Sequence, residues 1–427
     1  MKICVIGAGF TGLAAAYYLQ KKGHVVTVIE KDKLPGGLAI GYKERGWDWT
    51  LEQHYHHWFT NDRSVLELAN EINHKVIIKR PKTSSFVEGN IYQLDSPVSL
   101  LKFPKIPIID RFRTGIALAL LKYNPLWKPL ENYRAVPYLK KFMGEKSYRT
   151  IWEPLMVNKL GNYAPSVSLA WFWARIYKRT PSLAYPEGGF LNFANHLEKV
   201  LLKNNVVIHH ETEVLGIDAK KIPRITFQRN NKTQEEVFDK IIVTVPTPLF
   251  IKIAPTLPKK YVDSLTRLKG IGAINLVLRL SKQFMKDGTY WLNMCDIKSP
   301  ILAVVEHTNF MNSKSYNGER LLYVGNYNPT TDRKFSMDEN ELLDLYHPYL
   351  DKINPGYKKT IIGKKVFKAF FAQPIIPPHY SRQIPSFSTP LKDVYLANIQ
   401  QVYPWDRGTN YAVELGKKIS DYIENEK

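Results

Sequence analysis

Lys2-Ile3-Cys4-Val5-Ile6-Gly7-Ala8-Gly9-Phe10-Thr11-Gly12 opens the chain, and Val25-Val26-Thr27-Val28-Ile29-Glu30 follows a helical run that reaches about Lys22. An apolar strand, a glycine turn, a helix from about Thr11 and a second apolar strand make a βαβ unit. Within it, Gly7 permits the tight turn out of the strand and Gly9 lets the backbone approach a pyrophosphate, while Gly12 lets the helix lie close on the sheet. The helix N-terminus adds free N–H groups and a positive dipole end. Glu30 stands at the tip of the second strand, where a carboxylate can accept hydrogen bonds from a ribose diol. A glycine turn alone carries little information, but strand, turn, helix, strand and acid in this order point to dinucleotide binding. A second glycine turn follows at Pro35-Gly36-Gly37.

The rest of the chain bounds the class. Its 427 residues suffice for two or three domains, and 44% hydrophobic with 12% aromatic content is globular. Cys4 and Cys295 are the only cysteines. They form no disulfide framework or metal-ligand spacing, so a reducing compartment is expected. The apolar start has no cleavage-site pattern and reads as mature protein. No stretch approaches the roughly 20 apolar residues of a membrane span. Sixty basic residues against 39 acidic ones leave +21. That excess points to an anionic partner: nucleic acid, an anionic membrane or an acidic substrate. Helix-turn-helix spacing, zinc patterns and RNA-binding aromatic signatures are all missing, so no nucleic acid is expected.

Further along, Gly46 to Phe59 holds His54, His56 and His57 among five aromatics. With no CxxC or HExxH partner this reads as a polar-aromatic wall beside a cofactor, with no metal. A helix is expected over Asn61–Asn73 and a hairpin over Ser84–Leu94 turning at Gly89-Asn90. The segment 98–141 interleaves nine Lys and Arg with short apolar runs, as a basic face resting on an anionic membrane would. Tyr148–Lys178 reads as helical, with Trp152, Trp171, Phe172 and Trp173 suited to a core or to the lining of a substrate cavity. A helix over Leu191–Asn204 precedes strands at 206–210, 211–217, 224–229 and 240–245, whose order suggests a return to the first sheet. Strands over Ala273–Leu280 and Leu321–Tyr327 belong to a second sheet, and an acid-capped helix covers Asp338–Leu350. A proline-rich connector runs from Pro374 to Pro390 into a strand at Val394–Asn398. Last, Tyr403-Pro404-Trp405-Asp406-Arg407-Gly408-Thr409-Asn410 turns into a C-terminal helix with Asp406 or Thr409 as its N-cap.

Together these residues resemble the flavin-containing amine oxidase superfamily, in its protoporphyrinogen oxidase-like and phytoene desaturase-like branch. The carriers are the first glycine turn, Glu30, Pro35-Gly36-Gly37, Tyr185 to Gly189, Glu213-Val214, Val245-Pro246 and Asp406 to Ala412. Trp152 to Leu155 and Ala170 to Arg175 are similar to a bacterial subgroup of FAD-dependent oxidoreductases. The resemblance implies FAD, bound by Gly7, Gly9, Phe10, Thr11, Gly12, Glu30, Lys31, Gly36, Gly37, Leu38, Val214, Asp406, Thr409 and Asn410. His56 and His57 match the segment that skirts the flavin ring and are the catalytic candidates. For the active-site lysine of many amine oxidases, Lys365 and Lys368 are the candidates. Leu38 stands where amine oxidases commonly carry Arg, a departure from that activity. Neither cysteine lies near the C-terminal motif, so attachment is expected to be non-covalent.

The fold implied is α/β: a Rossmann-like FAD-binding domain with a second, α+β substrate domain carrying a helical cap. The FAD domain would comprise 1–95, 185–254 and 386–427, with the cap at 96–184 and the substrate sheet at 255–385. The activity implied is hydride transfer to flavin N5 from a bulky apolar or amphipathic substrate, tetrapyrrole- or isoprenoid-like. The place expected is the cytoplasm, on the inner face of the membrane. Alternatives are a sugar mutase, with Arg111, Arg113, Arg134, Arg149, Arg175 and Arg179 converging on a nucleotide diphosphate, an amine oxidase, and a membrane- or nucleic-acid-binding protein with a vestigial flavin fold.

Overall fold

The strand Lys2–Ile6 lies at the centre of a five-stranded parallel sheet in the computed structural model, which describes residues 1–426. In spatial order the strands are Val207–His209, Val25–Ile29, Lys2–Ile6, Lys240–Val243 and Val394–Leu396. Cys4 pairs with Thr27 on one side and Ile241 on the other. Both faces of such a sheet are covered, which explains the unbroken apolar runs. Ile3, Val5, Val26, Val28 and Ile241 to Val243 are all buried.

Helix Phe10–Lys21 packs on this sheet, and the C-terminal helix Thr409–Asn425 packs on that helix. Both contacts need missing side chains. A Cβ on Gly12 would lie 1.9 Å from the Gly7 carbonyl oxygen, and one on Gly416 would lie 2.6 Å from the Thr11 oxygen and 2.7 Å from Ala14 Cβ. The start and end of the chain therefore meet backbone to backbone.

A second, seven-stranded sheet runs in the order Ile361–Pro374, Gly270–Leu280, Arg320–Asn328, Ala303–Glu306, Thr289–Met294, Lys82–Val87 and Asn90–Gln93. The hairpin at 82–93, expected with the dinucleotide domain, belongs here, because Lys82–Val87 pairs in parallel with Thr289–Met294. Its turn is Glu88-Gly89 rather than Gly89-Asn90. Both residues have positive φ, 48° and 81°, as a tight two-residue hairpin turn requires. Of the strands expected to return to the first sheet, only 207–209 and 240–243 do so. Thr212–Asp218, Arg224–Arg229 and Lys232–Val237 form a separate antiparallel sheet.

Of the strands that escape sequence reading, two do so for the same reason. Lys232–Val237 and Ile361–Pro374 are edge strands, and lysines and other polar residues on exposed edges erase the apolar alternation. The cap is helical, built from Pro97–Leu101, Ile108–Tyr123, Ala135–Met143, Glu153–Leu160 and Leu169–Tyr177. Asp338 caps Glu339–Ile353 in a reciprocal box with Glu341. The C-terminal helix, by contrast, takes neither Asp406 nor Thr409 as its cap. Its N-cap is Gly408, with no side-chain bond to the first turn.

Glu52 clamps the cap-side strand Leu183–Pro186 and the helix Phe190–Lys203 to the segment that leads into the histidines. Its buried carboxylate accepts the Tyr185 hydroxyl at 2.9 Å and the Phe190 N–H at 2.8 Å.

Two expectations follow from these contacts. Gly416→Val forces the first and last helices apart and lowers stability by about 1–3 kcal/mol. Gly115→Ala, whose Cβ meets nothing closer than 3.8 Å, is the control in thermal unfolding. Burial raises Glu52 to about 7. The folded state therefore holds this proton more tightly than the unfolded chain, and the stability it contributes is full below about pH 4.5 and lost as pH rises through 7. The loss is on the order of 3 kcal/mol. Glu52→Gln should flatten that part of the pH dependence of denaturant midpoints, and an unchanged slope would assign it to other groups.

Candidate functional site

Two glycine turns, two helix starts and the ends of parallel strands converge on one elongated cavity of about 350 Å³. At one end Glu30 accepts the Ala8 N–H at 2.6 Å and the Asp32 N–H at 2.8 Å, so its carboxylate joins the glycine turn to the second strand. Burial pushes its pKa up, against the two N–H bonds that pull it down. In the middle, Gly9 and Gly36 bridge as parallel strands, and a Cβ on Gly37 would come within 3.1 Å of Gly9 Cα. This floor has no room for side chains, and it leaves backbone exposed to a ligand. Helices Phe10–Lys21 and Thr409–Asn425 both begin at the cavity, behind Gly9 and Gly408, without side-chain caps. Two positive dipole ends in one cavity favour an anion.

The cavity collects Gly7, Gly9, Phe10, Thr11, Glu30, Lys31, Gly36, Gly37, Leu38, Val214, Thr409 and His56. Four other predicted residues lie elsewhere. Gly12 is spent on helix–strand packing. Asn410 Oδ1 accepts the Val65 N–H at 3.1 Å and so caps a neighbouring helix. Asp406 turns away to pair with Arg175. His57 packs on Phe59, Tyr290 and Trp291, with Nδ1 3.3 Å from the Tyr290 hydroxyl. Lys365 and Lys368 are also outside: Lys365 pairs with Glu44 at 2.5 Å and Lys368 bonds the Met337 carbonyl at 2.6 Å.

A second, small cavity shares Leu38, His56 and Arg407 with the first and adds His54, Tyr55, Asn275 and Tyr327. Here the histidines are neutral. Burial lowers His54 to about 3, His56 to about 4 and His57 to about 3, with nearby cations adding to the effect. His56 Nδ1 lies 2.6 Å from the His54 carbonyl oxygen, so it carries the proton and Nε2 is left as an acceptor. Asn275 reaches His54 Nδ1 at 2.6 Å, and its Oδ1 is buried without a partner.

Sequence reading missed the charges around this second space. Arg407 Cζ and Lys159 Nζ flank the Tyr327 ring, at 4.8 and 4.4 Å from its centroid. Arg407 Nε donates to Gln373 Oε1 at 3.0 Å, and burial brings its pKa down to about 10. Lys159 is only 7% exposed and has no acceptor for its ammonium among the described residues. Burial, then the charges of Arg175 and Arg407, hold it well below the usual lysine range, and Asp406 partly offsets them. The one legible signal was a lysine inside the apolar run Leu155 to Leu160. Of the six arginines proposed to converge, Arg175 and Arg179 are near the site. Arg111, Arg113 and Arg149 are tied to Ile106, Lys141 and Glu145 in the cap, and the Arg134 backbone bridges Ser168 there.

Similar proteins share the fold. The chain is 23% identical to coproporphyrinogen III oxidase of Staphylococcus aureus over 297 residues, 58% of this chain and 61% of that protein. It is 28% identical to 15-cis-phytoene desaturase of Synechococcus elongatus over 158 residues, a third of either chain (33% of each). It thus spans between a third and three-fifths of these relatives' lengths. An oxidoreductase structure from Methanosarcina mazei superposes with a TM-score of 0.76 at 17% identity, covering 99% of this chain and 100% of that one. The family model described as flavin containing amine oxidoreductase matches residues 10–399, and the chain belongs to that family.

Proposed function

We propose that this flavin-dependent oxidoreductase holds FAD non-covalently and takes hydride from a bulky amphipathic substrate that bears an anionic group. The observation that carries the substrate reading is the cationic wall of Lys159, Arg175 and Arg407, for which Asp406 is the carboxylate within reach.

The residues present suit FAD. Glu30 stands where its carboxylate could accept the hydroxyls of an adenosine ribose, and the glycine floor would admit a pyrophosphate, beneath two uncapped helix starts. Neither Cys4 nor Cys295 lines the cavity, and burial raises both thiols, Cys295 to about 12, so no thiolate is at hand for attachment. When bound, FAD supplies the electron acceptor, while orientation and electrostatics fall to the protein. The start of Thr409–Asn425 provides N–H groups and a positive potential at one end of the cavity. Trp58 Nε1 donates to Thr409 Oγ1 at 2.6 Å and fixes that turn. His56, neutral at pH 7, contributes a hydrogen-bond acceptor and no acidic proton.

The same wall favours one substrate class over the others. A protonated amine about 6 Å from one unneutralised cation is opposed by ~3 kcal/mol at an effective dielectric of 20. An uncharged polyene leaves Lys159 without an acceptor. A carboxylate-bearing, tetrapyrrole-like molecule supplies one and places its apolar body against the ring-rich walls.

Purified protein should be yellow and release FAD on denaturation; a colourless protein that FAD does not reconstitute would falsify the cofactor assignment. Under anaerobic conditions a carboxylated porphyrinogen should bleach the flavin faster than an uncharged polyene or an amine. Equal bleaching by the polyene would remove the anionic requirement. Lys159→Met and Arg175→Met should each weaken substrate binding about 10- to 100-fold, the loss of one charge-assisted hydrogen bond of ~1.5–3 kcal/mol, with the flavin spectrum retained. For the histidines, His56→Ala should slow flavin reduction, whereas His57→Ala should leave the rate per bound flavin unchanged. The reverse order would mean that the wall beside Tyr290 is the reacting side.

A further inference from the structure

We infer that the helix Ile108–Tyr123 is a docking surface by which the protein lies on an anionic lipid bilayer. This stands on the outer face of the cap and is independent of the substrate reading.

The helix has a buried side and, apart from it, an apolar side that faces outward. Asp110, Thr114, Ala117 and Leu121 are buried against the cap. Ile109, Phe112, Ile116, Leu120 and Tyr123 face outward, and each is more than half exposed, from 54% for Phe112 to 82% for Tyr123. At 100° per residue these five fall within roughly 80° of arc, so they form one continuous stripe. A continuous apolar stripe left exposed on a surface helix marks a protein or membrane contact. The stripe continues on its neighbours in Leu101 and Leu126, both exposed.

Charge around the stripe selects the occupant. The segment 98–141 contains nine Lys and Arg but only two acids, Asp110 and Glu131, and both acids are buried. Arg111 and Arg113 act as braces. Arg111 Nη1 donates to the Leu101 carbonyl at 2.8 Å and Arg113 Nη2 to the Lys141 carbonyl at 2.7 Å. These bonds hold Lys102 and Lys141 beside the helix, where neither has an acidic partner among the described residues. An exposed apolar stripe beside the unpaired Lys102 and Lys141, on a segment whose own carboxylates are buried and whose exposed neighbours Glu88 and Glu145 are engaged by Lys105, Lys140 and Arg149, matches the interface of a bilayer with anionic headgroups. Among the described residues no helix is long and apolar enough to cross a membrane, so the contact is with one leaflet. At its inner end Lys122 bonds the carbonyls of Tyr177 and Arg179 at 2.8 and 2.6 Å, which puts the stripe one layer from Arg175.

Flotation of the flavin-loaded full chain with vesicles tests this. Vesicles of phosphatidylcholine with phosphatidylglycerol should carry the protein, phosphatidylcholine alone should carry little, and high salt should weaken the binding. Phe112→Ser/Ile116→Ser should reduce partitioning about tenfold or more, as expected for two large apolar side chains. Lys102→Glu/Lys141→Glu should abolish the preference for the anionic vesicles. Both positions of the first variant are exposed, and an unchanged flavin spectrum and melting temperature verify its fold. No flotation by the wild type, or equal flotation on both vesicle types, overturns the proposal. So does a lipid-free dimer that Phe112→Ser/Ile116→Ser dissociates, which would make the stripe a contact between protein copies.

Discussion

The contact on which the rest depends is the one between the Gly416 backbone and the Thr11 carbonyl. A helix that begins at residue 10 and one that begins at residue 409 can present their N-termini to the same cavity only if their axes approach more closely than side chains allow. Gly12 does the same between the first helix and the Gly7 carbonyl. Strand, first helix and last helix thus form a stack of close contacts, and its open edge is the cavity. Moving either helix outward by the width of a methyl group would separate the two dipole ends that define the site.

The second sheet and the cap complete what this stack begins. Residues 82–93 leave the dinucleotide-binding region to pair with Thr289–Met294, so the segment 54–59 is held between the two sheets. Glu52 secures it from below through Tyr185 and Phe190, and Asn275 from the side through His54. From the cap come Lys159 and Arg175, and from the C-terminal turn Arg407. The first and last helices give the cavity oriented N–H groups, while the cap sets Lys159 beside Tyr327 and Arg175 beside Asp406.

How much of this could be read beforehand follows from how local each requirement is. Gly7, Gly9, Gly36 and Gly37 were legible because a tight turn or a close approach demands glycine whatever surrounds it. Glu30 was legible because a strand end fixes where its side chain lies. Histidines 54 to 57 were legible as a wall, but which of two neighbours faces the cavity depends on a backbone path set by sheets more than 200 residues away. His57 therefore turned out to point at Tyr290. Asp406 and Asn410 sit in the right turn but are used to hold Arg175 and a neighbouring helix. Lys159, Arg175 and Arg407 are separated by up to 248 positions and share no spacing, so only the fold brings them together. Edge strands were hidden for the opposite reason, since solvent exposure removed the pattern that marks strands.

The charge states of the site divide its labour. Burial acts on every ionisable group there, but it neutralises only those whose ordinary pKa lies close enough to neutrality. The three histidines fall to about 3 or 4 and lose their charge. Arg407 falls only to about 10 and keeps its charge at pH 7. The same desolvation thus sorts a mixed cluster into neutral hydrogen-bonding rings beside the cavity and one permanent cation, Arg407, at Tyr327. Lys159 is pushed well below the usual lysine range, and its charge depends on what enters. An incoming anion favours the ammonium, as Asp406 already does in part, whereas a neutral or cationic guest leaves it destabilised. Selection for an anion is therefore built into a residue that has no acceptor of its own until substrate supplies one.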